Sequence, residues 1–275
     1  MVWFAVGLMA TYSDIALRAD PSLILTRAGM HADPWQARVL RERPRQLLLN
    51  CSRQSGKSTV TAALAIDEAL HHGPALVLLL SPSLRQSQEA FRVLMRLYRQ
   101  IGAAIEPDSE STLRAELPNG SRIVALPGKE STVRGYAAVS LLIVDEAARV
   151  PDDLYRALRP MLAVSGGRLV GLSTPFGKRG WWHDEWTRGE GWERVRVTAE
   201  QCPRITPAFL EAERRAMPQA WFAQEYMCEF ADNEGQVFSY DDVMGALTDS
   251  VQPLFALPPA DAIADAEVQP LFRVV

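Results

Sequence analysis

The sequence predicts an α/β fold, a mostly parallel sheet with helices on both faces, followed by a small helical C-terminal subdomain. Three observations carry this. Apolar runs alternate with stretches of helical spacing along most of the chain. The central runs "RQLLLNCS", "ALVLLLSPS" and "VSLLIVDEA" are continuously apolar, as strands covered on both faces are. A Gly-Lys-Ser tripeptide sits between the first of these runs and the first long helical stretch.

Each element has its own signal. "RQLLLNCS" (45–52) is a short apolar run and reads as a buried strand. "STVTAALAIDEALHH" (58–72) has helical spacing and stops at Gly73-Pro74. A buried strand over 75–83 and a helix over 84–102, closing on Gly102, come next. "STLRAELPNGSRIVAL" (111–126) reads as two strands around a Pro-Asn-Gly turn. Then come a strand over 139–147, a helix over 152–162 and a strand over 167–174. From Thr206 two helices follow, the first with Thr206 as N-cap and Pro207 at its first position. The chain thus divides into an N-terminal extension (1–30), a core (31–200), a helical lid or linker subdomain (201–240) and a tail (241–275) expected to be flexible. "VQPLF" occurs twice in that tail, at 251 and 268, which makes no repeat architecture and carries no assigned function.

Composition narrows the function classes. The 275 residues are 48% hydrophobic and 23% charged, ordinary for a globular protein. A formal charge of −4 gives no global nucleic-acid signal, so DNA contact requires a local patch. Cys51, Cys202 and Cys228 have no zinc spacing and imply free thiols in a reducing compartment. The apolar start "MVWFAVGLMA" is too short to span a bilayer, and no Lys or Arg precedes it. These features lead us to expect a soluble cytoplasmic protein with no membrane partner.

"CSRQSGKS" (51–58) is a phosphate-binding loop that departs at one place, because Cys51 stands where G-x-x-x-x-G-K-[ST] has its first glycine. A strand before it and a helix after it supply the required context. Backbone N–H groups from Ser52, Arg53, Gln54, Ser55 and Gly56 through Thr59 are placed to cradle phosphates. Lys57 would reach the β- and γ-phosphates and Ser58 would hold Mg²⁺. About 85 residues on, "LLIVDEA" ends a strand in two adjacent acids. Asp145 would face the metal and Glu146 would polarise a water. Together the two motifs indicate a nucleoside triphosphatase of the P-loop class. Gln36, about twenty residues before Lys57, is either an adenine contact favouring ATP or a surface glutamine. Ser173 and Thr174 in "GLSTP" either sense the γ-phosphate or merely end a strand at Pro175.

"SRQSGKS", "LLIVDEAA" and "GLSTPFGKRGWWHDEW", in this order, resemble the ATPase domain of tailed-phage large terminase subunits. "FAQEYMCEF" followed by "FSYDDV" looks like the segment that closes that domain, so the resemblance runs over residues 30 to 240. It implies a RecA-like (ASCE) P-loop fold and a motor that drives double-stranded DNA into a procapsid. Its cofactors would be ATP and Mg²⁺, and its partners double-stranded DNA, a portal protein and a small terminase subunit. The chain would be mostly monomeric alone and form a ring on the portal. By the family pattern Gln36 contacts adenine, Arg53 contacts the γ-phosphate, and Asp145 and Glu146 are the metal-associated and catalytic acids. Ser173 and Thr174 couple hydrolysis to movement. Arg134 matches an arginine finger offered to the neighbouring subunit, or else it is a loop arginine paired with Glu130.

Two patches are candidates for DNA. Arg85, Arg92, Arg96 and Arg99 fall within about 60° of arc on their helix, a basic stripe or simply a solvated face. Lys178 and Arg179 lie in "FGKRGWW", a loop whose tryptophans read as core. The residues after "FSYDDV" are too few for a nuclease core, so no DNA cleavage is expected of this chain. The alternatives are a fragment of an SF2-like helicase or translocase, and a non-hydrolysing protein that docks on a portal.

Overall fold

The structure, a computed structural model, describes residues 12–102, 106–128, 133, 135–231 and 245–246. Among these, eight strands form one sheet: β1 (Gln46–Cys51), β2 (Leu76–Ser81), β3 (Ser109–Glu110), β4 (Arg114–Glu116), β5 (Arg122–Pro127), β6 (Leu141–Asp145), β7 (Arg168–Ser173) and β8 (Glu193–Val197). Their spatial order is β3-β4-β5-β2-β6-β7-β1-β8. The six strands from β5 to β8 in that order are parallel, and only β3–β4 and β4–β5 are antiparallel.

The alternation of side chains along each strand builds two cores. On β1, Leu47 and Leu49 enter one apolar cluster and Leu48 enters the other. The first face is covered by α1 (Tyr12–Ala19), α2 (Leu23–Arg27), α3 (Pro34–Glu42), α4 (Lys57–His71) and α5 (Leu84–Gln100). The second is covered by α6 (Asp152–Leu158) and α7 (Gly180–Thr187), with Tyr155 stacked on Trp181 at 4.0 Å between ring centres. Leu17, Ile24 and Leu25 bury the segment before Met30 into the first core, so within 12–30 the expected extension is packed chain. After β8 come α8 (Pro207–Ala216) and α9 (Gln219–Met227), and Thr206 Oγ1 caps α8 by accepting from Phe209 N at 3.3 Å. Among the described residues no helix is long and apolar enough to cross a membrane.

Several elements differ from the sequence reading, among them α1, α2, α3 and β3, which had no expected counterpart. The helix expected over 152–162 ends at Leu158 and tightens into a 3₁₀ turn over Arg159–Leu162. Pro160 has no N–H to continue the α pattern. β8 was not anticipated: "ERVRV" has only two apolar residues, Val195 and Val197, and lies at the sheet edge beside β1. α7 was also not anticipated, because its aromatic run has no clear period. The duplicated "VQPLF", the "FSYDDV" segment and Arg134 lie outside the described residues.

β7 is inserted between β1 and β6, with Asn50 opposite Ser173 and Asp145 opposite Leu172. It has a glycine at its centre. A Cβ on Gly171 would lie 2.8 Å from Trp182 Cζ3 and 3.3 Å from Leu48 Cδ2. Both neighbours are fully buried and have nowhere to go. Gly171→Ala is therefore expected to destabilise the protein by about 1–3 kcal/mol through overpacking. Urea unfolding checks this, and an unchanged midpoint would show that the second core can yield.

Candidate functional site

The loop after β1 explains its own irregularity. Cys51 is the last residue of β1 and its side chain is buried in the first core, so no glycine is required there. Burial pushes its thiol far up. The glycine that matters is Gly56, at φ 90°, where a Cβ would come within 2.6 Å of Gln36 Nε2. Ser52 N donates to Val197 O at 2.9 Å and Ser55 Oγ to Ser52 O at 2.8 Å, which pins the loop to β8 and to itself. α4 begins at Lys57, so the loop amides and the positive end of the helix dipole meet at one place.

The acids stand two strands away. Glu146 has left-handed backbone (φ 48°), a strained conformation of the kind that clusters at functional sites. Its Oε1 is 3.4 Å from Lys57 Nζ. Asp145 Oδ1 accepts from Glu146 N at 3.0 Å. Burial, and next the Glu146 charge, push the Asp145 carboxyl up to about 6, with Lys57 opposing. Ser52 Oγ and Ser173 Oγ are buried with no hydrogen-bond partner among the described residues. Ser58 and Asp145 offer the hard oxygen donors that Mg²⁺ prefers. Among the described residues no group of three His, Cys, Asp or Glu could hold a metal alone. An ion here would therefore take its other ligands from phosphate and water, which is the usual habit of Mg²⁺.

Lys57, Ser58 and Glu146 line a cleft of about 1100 Å³. Gly56 to Thr59 line it after β1, and Gln86, Glu146 and Arg149 after β2 and β6, on one side of β1 in the sheet. The segment Arg204–Thr206 and Phe209 follow β8, on the other side. Arg204 grips Asp33 with both nitrogens, at 3.1 and 2.7 Å, and donates to Ser55 O at 3.0 Å. It thereby ties the start of α3 and the phosphate loop to the segment after β8.

The family described as the terminase large subunit, T4likevirus-type, N-terminal, matches residues 48–244. The chain belongs to this family. It is 26% identical over 233 residues to the terminase large subunit of Escherichia phage T5, covering 80% of this chain and 53% of that protein. The chain spans about half the length of the curated relatives it matches. In fold, it is similar to the large terminase ATPase domain of Thermus phage P74-26, with a TM-score of 0.66 and 22% identity over 75% of this chain and 97% of that one. It is also similar to the large terminase of a thermophilic bacteriophage in complex with ADP, with a TM-score of 0.59 and 12% identity over 78% of this chain and 54% of that one. Those likenesses show a P-loop, RecA-like terminase ATPase fold.

Within this terminase chain the expected site residues are not all placed as anticipated. Lys57, Ser58, Thr59, Gly56 and Glu146 line the cleft together, and Arg53 and Gln54 stand at its edge. Gln36 is buried; its Oε1 accepts from Asp33 N at 2.9 Å and its Nε2 donates to Gly56 O at 3.2 Å. It is neither a surface glutamine nor part of the cleft wall. Arg53 lines the cleft and is ion-paired with Glu225 on α9. Ser173 and Thr174 are both buried at the end of β7. On α5 the stripe Arg85, Arg92, Arg96 and Arg99 is exposed, but Arg92 pairs with Glu89 and Arg99 with Glu110, which reduces its net charge. Arg179 lies over the Phe176 ring at 5.4 Å, and Lys178 precedes it in the loop before α7. The sequence reading missed Gln86, Arg149, Arg204, Ile205 and Phe209. Each is a single residue outside any motif, and only Arg149, three residues after Glu146, was near enough to a motif to be found.

The Asp145 carboxyl sets a pH test. Its folded value of about 6 lies above the ordinary 3.8, so between these the folded protein keeps a proton that the unfolded chain has lost. Stability therefore falls as pH rises through that window and stays lowered above it. Asp145→Asn is expected to gain on the order of 2 kcal/mol over the wild type near pH 8, and nothing near pH 4. Urea unfolding at the two pH values measures this, and an equal effect at both would refute it.

Proposed function

We propose that this chain is an ATPase whose hydrolysis of ATP drives double-stranded viral DNA into a procapsid. The observation that carries the reading is the Lys57–Glu146 contact at 3.4 Å across the head of the cleft. It brings a phosphate-binding lysine and a candidate general base to one point. The membership of the terminase family and the ADP complex of a structural relative support the choice of nucleotide.

The chemistry follows from the placement. Loop amides and Lys57 bind the β- and γ-phosphates and neutralise their charge. Ser58 and Asp145 would hold Mg²⁺, which supplies further neutralisation of charge on the phosphates. Glu146 orients a water toward the γ-phosphorus and accepts its proton as the new P–O bond forms and the bond to ADP breaks. Ser173 and Thr174, on the strand between loop and acids, are placed to register loss of the γ-phosphate. DNA, a portal protein and a small subunit are the proposed partners, with a ring as the working assembly. The arginine stripe on α5 and the Lys178–Arg179 loop are the proposed DNA contacts. The host cytoplasm is the proposed location.

Glu146→Gln is expected to retain ATP binding and lose turnover by about 10³-fold. Lys57→Ala is expected to weaken binding itself. Phosphate-release rates alongside equilibrium ATP binding separate the two effects, and normal turnover in Glu146→Gln would remove it as the base.

Arg134, as a finger acting on a neighbour, should make activity depend on assembly. Activity is expected to rise more than linearly with protein concentration. Arg134→Ala mixed with Glu146→Gln should recover part of the lost ATPase activity, because some interfaces then combine an intact finger with an intact base. Absence of recovery at every mixing ratio would make Arg134 a residue of its own subunit.

A further inference from the structure

The proposed function names no stacking partner for the base of the nucleotide. Gln36, the residue expected to read adenine, is 3% exposed, and both ends of its amide are engaged by Asp33 N and Gly56 O. Its work is to hold the start of α3 on the phosphate loop.

The opposite wall of the cleft offers something different. Among the described residues that line it, Ile205 and Phe209 are the only apolar side chains, and the rest are polar, charged or glycine. Phe209 is 47% exposed, an unusual condition for a phenylalanine in a structure whose other aromatics mostly fill the two cores. It is also held in place. Its N–H donates to Thr206 Oγ1, and its ring meets Tyr226 edge-on at 6.2 Å and 71°. Tyr226 is itself anchored by its hydroxyl to Glu213 Oε2 at 2.8 Å. A partly exposed aromatic ring thus lines the same cleft as the phosphate loop.

Sheet order gives the direction. From β1, the acids lie beyond β7 on one side, and the segment that follows β8 lies on the other. A triphosphate on Gly56–Thr59 with its γ-end toward Glu146 points its base away from β6, toward Arg204–Phe209. We propose that Phe209, backed by Ile205, is the stacking seat for the nucleotide base. This rests on the nucleotide reading above and extends it to recognition. Stacking reads the face of a base and not its edge, so the seat accepts purines with little distinction.

The test is calorimetric titration of the purified chain with ATP, GTP and inorganic tripolyphosphate, each with Mg²⁺. Phe209→Ala is expected to weaken ATP and GTP alike by about tenfold, in the range of one base–aromatic stack. It should leave tripolyphosphate within about twofold, and Phe209→Trp should retain ATP binding. Unchanged ATP affinity in Phe209→Ala would overturn the proposal. So would an equal loss for ATP and tripolyphosphate, which would mean that Phe209 supports the cleft and does not touch the base. Lys57→Ala serves as the control for the underlying reading. If it leaves tripolyphosphate binding intact, the phosphate loop itself is misassigned.

Discussion

The placement of β7 between β1 and β6 is the constraint on which the site depends. Adjacent strands lie about 4.8 Å apart, so the phosphate loop and the acids are separated by about 10 Å at their strand ends. A triphosphate tail with its metal and water fits such a gap, and a lysine side chain reaches across it. The observed Lys57–Glu146 contact shows that reach. The insertion holds because Gly171 lets Trp182 and Leu48 close over β7 without a side chain in the way. It also puts Ser173, buried and without a hydrogen-bond partner among the described residues, on the strand between the phosphate loop and the acids.

Charge in the cleft is arranged around that gap. Glu146 and Asp145 face Lys57 as their nearest cation, and burial holds the Asp145 carboxyl up to about 6. Bringing a divalent ion beside it would favour the ionised form, so metal and proton compete for the same oxygen. Arg53 and Arg204 also line the cleft, yet each already has an acidic partner, Glu225 and Asp33. These two arginines hold structure together before they meet any ligand. The Arg53 pair is exposed enough on the arginine side to contribute little stability by itself. The same exposure leaves it easy to exchange for a phosphate.

The helical segment after β8 is fastened to the nucleotide loop at several points. Arg204 joins Asp33 and Ser55 O, and Arg53 joins Glu225. Asn50 Nδ2 donates to Cys228 O at 3.1 Å, and Arg196 donates to Met227 O. β1 and its loop thus share direct contacts with both ends of the α8–α9 pair.

The sequence by itself determined the architecture and where its two motifs lie, a loop before α4 and two acids at the end of β6. Continuous apolar runs, helical spacing, a Gly-Lys-Ser after a strand and Asp-Glu at a strand end are local patterns. They read correctly because each is set by its neighbours in sequence. What it could not determine are the contacts made by single residues across the fold. Arg204 meets Asp33 over a separation of 171 residues, and Phe209 looks in sequence like any apolar position near the start of an amphipathic helix. Gln36 shows the limit most clearly. Its spacing from Lys57 suggested a ligand contact, and the fold adds two partners no spacing could name, the backbone N–H of Asp33 and the carbonyl of Gly56. A buried amide takes whatever partners the packed chain brings to it. Only the tertiary structure decides which those are.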